Sequence, residues 1–123
     1  MDIITFTAMV KDRIDKYLAV LIKKGKMYGR EEDRLYQFKE IGMRKHESPE
    51  LALYGMADKH NLSIFDMVRD IEVGQYDYIT RELIDEKFGD AHNYLHMLEA
   101  LIVERLMKDK VAKEREPDTE VSS

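Results

Sequence analysis

The chain has 123 residues, no cysteine and a formal net charge of −5, with charged residues of both signs making up 37% of it. That length supports one domain with one core, and the lack of cysteine excludes disulfides, thiolate catalysis and cysteine-ligated zinc. The acidic balance argues against a general nucleic-acid or anionic-membrane binder, which shows a basic excess.

The N-terminal Met1-Asp2-Ile3-Ile4-Thr5-Phe6 lacks the basic opening of a signal peptide, and no apolar run approaches the ~20 residues that cross a bilayer. A cytoplasmic protein, without a membrane partner, is therefore expected. Phe6, Met9, Val10, Ile14, Tyr17, Leu18, Leu21 and Ile22 recur at steps of three and four, which predicts a first helix over Thr5 to Lys24 that Gly25 terminates. Glu31-Glu32-Asp33 suits the first turn of a short second helix through Leu35, Phe38 and Ile41, closed by Gly42. Met43 to Glu47 then reads as a loop.

Ser48-Pro49-Glu50 is a strong start signal. Serine caps free N–H groups, proline is pre-set for the first helical position, and glutamate favours the positive end. A third helix should begin at Pro49, with Leu53, Ala57, Ile64, Val68 and Ile71 inward, Tyr54 and Phe65 at the border, and an end near Val73-Gly74. Thr80 should cap a fourth helix from Arg81 to about Lys110. Amphipathic helices with short connections read as an all-α antiparallel four-helix bundle over 1–113. Phe6, Ile14, Phe38, Leu53, Ile64, Phe88, Leu95 and Ile102 are the expected core. The polar segment 114–123, with Pro117, is expected to be a disordered tail. Eight methionines and no tryptophan, together with the long fourth helix, suggest adaptable helix contacts and a homo-oligomer.

Candidate chemistry concentrates on the fourth helix. At about 100° per residue, Glu86, Asp90 and Asn93 share one flank, while Ile84, Phe88, Ala91, Leu95, Leu98 and Ile102 form the apolar stripe. Carboxylates one turn apart are hard oxygen ligands that suit Mg²⁺; the same residues also read as a solvated flank paired to lysines across the bundle. On the third helix Asn61 falls within the apolar face and His60 at its margin, so a buried Asn61 amide needs a partner, either Asn93 or a ligand. Lys26, Tyr28, Arg30, Arg34 and Lys39 can form a cationic rim for phosphate, with Tyr28 stacking on a base, or simply an exposed helix of mixed charge. His92 and His96, four apart with Asp85 and Glu99 beside them, have metal-ligand spacing but look away from the expected core.

Lys26-Met27-Tyr28-Gly29-Arg30, Asp33-Arg34-Leu35, Ser48-Pro49-Glu50, Leu53-Tyr54-Gly55-Met56, Lys59-His60, Asp85-Glu86-Lys87, Gly89-Asp90 and Asn93-Tyr94-Leu95 occur in order. In this the chain resembles a family of small phage- and prophage-encoded proteins, mostly of unassigned function. That group is similar in turn to the nucleotide-modification-associated and MazG-like all-α proteins, whose enzymatic members use helix-borne carboxylates and Mg²⁺ to split nucleoside triphosphates into monophosphate and pyrophosphate. The resemblance implies metal binding by Glu86 and Asp90, with Lys59 or Arg34 steadying phosphate; Asn61, Asn93 and Tyr28, from their own placement, complete the expected substrate-binding set. The chain departs from the MazG pattern where its third helix carries Asp58-Lys59-His60-Asn61 in place of a Glu-Glu-x-x-Glu run. Two functions follow as expectations: a Mg²⁺-dependent nucleoside triphosphate pyrophosphohydrolase, or a non-catalytic protein that sequesters a nucleotide or inhibits a host protein.

Overall fold

Two caps place the long helices. Ser48 Oγ accepts the Leu51 N–H at 3.1 Å ahead of Pro49, and Thr80 Oγ1 accepts the Leu83 N–H at 3.1 Å, each satisfying a donor that the first helical turn leaves free. The structure, a computed structural model, describes residues 1–115. These form α1 (Ile3–Tyr28), α2 (Tyr36–Lys45), α3 (Pro49–Glu72) and α4 (Arg81–Arg115). The expected helical bundle is present, and α3 starts and stops where its sequence signals it. Among the described residues no helix is long and apolar enough to cross a membrane.

The helix boundaries differ from the sequence reading at both ends of α2 and at the C-terminal ends of α1 and α4. α1 runs through Gly25 to a cap at Gly29, because the Arg34 side chain lies against both glycines and packing offsets the weak helix propensity of Gly25. The acidic segment 31–33 forms a turn closed by paired Arg30 and Asp33 backbone hydrogen bonds of 2.9 and 3.0 Å, and Asp33 Oδ1 accepts the Leu35 N–H at 3.0 Å, so α2 starts only at Tyr36. Gly42 does not close α2 but sits buried within it; a Cβ there would lie 2.8 Å from the Glu47 carbonyl oxygen. The stop is His46, in the left-handed region at φ 57°. α4 extends to Arg115, beyond the residue-113 limit of the expected bundle, and the rest of the expected tail, 116–123, lies outside the described residues.

The helix directions also depart from a simple antiparallel bundle. α3 runs antiparallel to α4, since Glu50 meets Arg105 while His60 meets Asp90 and Tyr94. α1 runs parallel to α4: Arg13 pairs with Asp85, Tyr17 meets His92 and Asn93, and Tyr28 shares a cleft with Met97. α2 folds back on α3 through the short turn at His46 to Ser48 and reaches α4 through a Lys39–Glu104 ion pair of 2.5 Å. The core is therefore small, consisting of Leu35, Phe38, Leu53 and Leu101, with Met56, Tyr94, Met97 and Leu98 packed on it.

Of the expected core residues, Phe38 and Leu53 are buried and Ile64 and Phe88 are half-buried, whereas Phe6, Ile14, Leu95 and Ile102 are exposed. α4 is rotated from the expected orientation. It turns Gly89, Ala91, Asn93 and Leu101 inward, because Gly89 lets the Tyr17 ring approach to 3.0 Å from where a Cβ would stand. On α3, likewise, Tyr54, Phe65, Val68 and Ile71 face out, and Ala52, Leu53, Ala57 and Met67 face in.

Candidate functional site

Where α1, the loop before α2, and α4 converge, they enclose a cleft of about 330 Å³. α1 contributes Leu21, Lys24 and Tyr28, the loop Arg34, α2 Gln37 and Phe38, and α4 Asp90, Asn93, Tyr94 and Met97. The spacing explains the convergence. Lys24 and Tyr28 are one turn apart on α1, as are Asp90, Tyr94 and Asn93, Met97 on α4, so each set shares a helix face.

Arg34 forms one side of the cleft. Its Nη2 donates to the Leu21 carbonyl at 3.3 Å, and its side chain runs along the last turns of α1 against Gly25 and Gly29. Burial lowers the guanidinium from its ordinary value, yet arginine stays charged in proteins. Among the described residues no carboxylate pairs with it. Lys24 and Asp90 stand opposite at 3.4 Å, and Asp90 also lies 3.8 Å from Nδ1 of His60, a partner whenever that ring is protonated. His60 stacks on Tyr94 with centroids 4.7 Å apart. Burial pushes the Tyr94 phenol up from its ordinary value, with Lys24 opposing and Asp90 reinforcing the shift, so it remains a neutral hydroxyl.

Asn93 is 5% exposed. Its Nδ2 donates to the Tyr17 carbonyl at 3.1 Å, and its Oδ1 is buried with no hydrogen-bond partner among the described residues. The donor bond to Tyr17 sets the orientation of the amide.

The structure thus gathers Tyr28, Arg34, Asp90 and Asn93 in one cleft. Lys59 and Asn61 are not part of it. Both are exposed, because α3 turns the His60 side toward α4, and Asn93 finds its partner on α1 rather than in Asn61. Glu86 is exposed, but with Asp90 it borders a second cleft of about 550 Å³ between α1 and α4, which Lys16, Lys24 and Asp85 also line. Of the remaining candidate cations, Lys39 is engaged by Asp33 at 2.7 Å and by Glu104, and Arg30 lies over the Tyr36 ring at 4.4 Å. Asp85 pairs with Arg13, and His92 stacks on Tyr17. No group of three or more His, Cys, Asp or Glu is assembled in metal-binding range among the described residues.

Sequence reasoning missed Lys24, Gln37, Tyr94 and Met97 as cleft residues. The i, i+4 relation of Asp90 to Tyr94 was the available signal for one of them. Comparison with family models, curated proteins and solved structures finds no match to this chain.

Proposed function

We propose that the protein binds a nucleoside phosphate in the cleft between α1, α2 and α4, its phosphate at Arg34 and Lys24 and its base against the Tyr28 and Tyr94 rings. The observation that carries this reading is Arg34, a partly buried guanidinium with no carboxylate partner among the described residues. A desolvated charge calls for a counter-charge, and guanidinium geometry suits phosphate. The volume is within the range of small-molecule pockets, and the buried Asn93 Oδ1 suits an N–H or O–H of the ligand.

A second reading extends the resemblance to phage-encoded MazG-like proteins and adds Mg²⁺-dependent release of pyrophosphate. It is favoured by the placement of Glu86 and Asp90 one turn apart on the second α1–α4 cleft, which shares Lys24, Asp90 and Asn93 with the first. Two carboxylates fit a Mg²⁺ that takes its other ligands from water and phosphate. When bound, such an ion would neutralise phosphate charge; Lys24 would then have to release Asp90 and turn to the phosphate.

The test is a screen of the purified chain against common ribo- and deoxyribonucleoside triphosphates, with and without Mg²⁺ or Mn²⁺, following melting temperature and pyrophosphate together. A nucleotide-dependent rise in melting temperature is the result expected. Pyrophosphate release in addition selects the hydrolase. No shift with any nucleotide overturns the proposal and leaves binding to a host protein as the remaining expectation.

A further inference from the structure

α1 packs on α4 by one face, and its last turns also pack on the loop before α2 through Gly25 and Gly29. Arg13, Tyr17 and Lys24 meet α4, and at 100° per residue the stripe Ile4, Ala8, Lys11, Asp15, Leu18, Ile22 lies roughly opposite. Every residue of that stripe is exposed. Among the described residues neither Lys11 nor Asp15 has an ion-pair partner, although Asp12 and Lys16, on the neighbouring flank, pair at 3.2 Å. Ile4 at one end and Leu18 and Ile22 at the other are large apolar side chains left in solvent.

The order of the stripe is self-complementary. Read in opposite directions about position 13, Ile4 stands across from Ile22, Ala8 from Leu18, and Lys11 from Asp15. A C₂ interface requires such reciprocity, in which residue i meets j and j meets i. We infer that α1 is the seam of a homodimer, in which two copies lie antiparallel along this stripe with Lys11 of each facing Asp15 of the other. The partner is a second copy because only reversal of the same stripe joins apolar ends to apolar ends while pairing the two central charges, each directly opposite its counter-ion. The nucleotide cleft is on the packed side, so this inference stands apart from the proposed function.

Because the chain has no cysteine of its own, disulfide trapping reads the seam directly. An Ile4→Cys chain mixed with an Ile22→Cys chain is expected to give an oxidised species of twice the 14.5 kDa chain mass. Each variant alone is expected to give none, because like positions are then about 27 Å apart along the helix. Sedimentation of the native chain should show the dimer. Lys11→Asp should shift it to monomer with unchanged helical circular dichroism, and adding Asp15→Lys to that chain should restore the dimer. A native chain that stays monomeric at high concentration, single variants that cross-link as readily as the mixture, or a Lys11→Asp chain that remains fully dimeric would each overturn the inference.

Discussion

Asn93 of α4 is tied to α1 through the backbone of Tyr17, its Nδ2 donating to that carbonyl at 3.1 Å while its Oδ1 stays buried without a partner. This one amide both joins the two parallel helices and lines the candidate cleft. Its orientation is fixed because a carbonyl only accepts, so the donor end of the amide must face Tyr17. Asn93→Ala removes this side-chain bond between the helices, while the Tyr17 carbonyl keeps its own bond within α1, and is expected to cost about 0.5–1.5 kcal/mol in urea unfolding.

The rotation of α4 gives a paired test. Leu53 is 0% exposed, whereas Leu95 is 54% exposed. Leu53→Ala should lower stability by about 2–5 kcal/mol, and Leu95→Ala by no more than about 0.5 kcal/mol. Equal losses in chemical denaturation would place Leu95 in the core.

Gly42 and Gly55 both sit in helix interiors but in opposite surroundings. A Cβ at Gly42 would meet the Glu47 carbonyl at 2.8 Å and the Pro49 nitrogen at 3.1 Å, while one at Gly55 would meet nothing within 4 Å. Backbone atoms cannot step aside as a side-chain end can. Gly42→Ala should therefore destabilise the chain, and Gly55→Ala should stabilise it by about 0.4–1 kcal/mol through the unfolded state. Thermal melts of the two variants should move in opposite directions.

Lys39 bridges Asp33 and Glu104 at 2.7 and 2.5 Å. For Asp33, burial acts upward, but the Lys39 hydrogen bond and the Leu35 N–H outweigh it and hold the carboxyl below its ordinary 3.8. Hydrogen bonds from Lys39 and then Lys108 hold Glu104 below its ordinary 4.5. A carboxyl whose folded value is depressed contributes stability above its unfolded value and loses that contribution as the pH falls through the folded one. Lys39→Met should therefore be less stable than the native chain at neutral pH, and the gap should close as the pH falls from 4.5 through the lowered values. A gap that persists undiminished in acid would show that Lys39 acts through its aliphatic stem alone.

Lys24 and Lys59 separate the cleft from the exposed face of α3. Lys24 lines the cleft and Lys59 does not, so Lys24→Gln should weaken nucleotide binding about tenfold, near 1.4 kcal/mol, while Lys59→Ala leaves it unchanged. Asp90→Asn should abolish any Mg²⁺-dependent increment and leave metal-free binding in place. Calorimetric titration with and without Mg²⁺ distinguishes these outcomes.

Helix existence, the starts at Pro49 and Arg81, and the end of α3 were legible in the sequence, because a cap is local chemistry: Ser48 and Thr80 satisfy N–H groups three residues away. Four residues that line the cleft, Tyr28, Arg34, Asp90 and Asn93, could be singled out from the sequence too. What only the tertiary structure decided was which face of each helix turns inward and which neighbours it meets. On α4, apolar residues occur at two rotations, through Leu95 and Ile102 or through Tyr94 and Leu101. The choice between them rests on groups with no hydrophobic signal: Gly89 admits the Tyr17 ring, and the Tyr17 carbonyl accepts the Asn93 amide. In the same way Gly25 and Gly42 read as helix stops, since glycine weakens an isolated helix, but each lies inside one because Arg34 in the first case and the Glu47–Pro49 backbone in the second needs the space a side chain would occupy. Periodicity reports how much of a helix is apolar. The packing partner determines which part of it is buried.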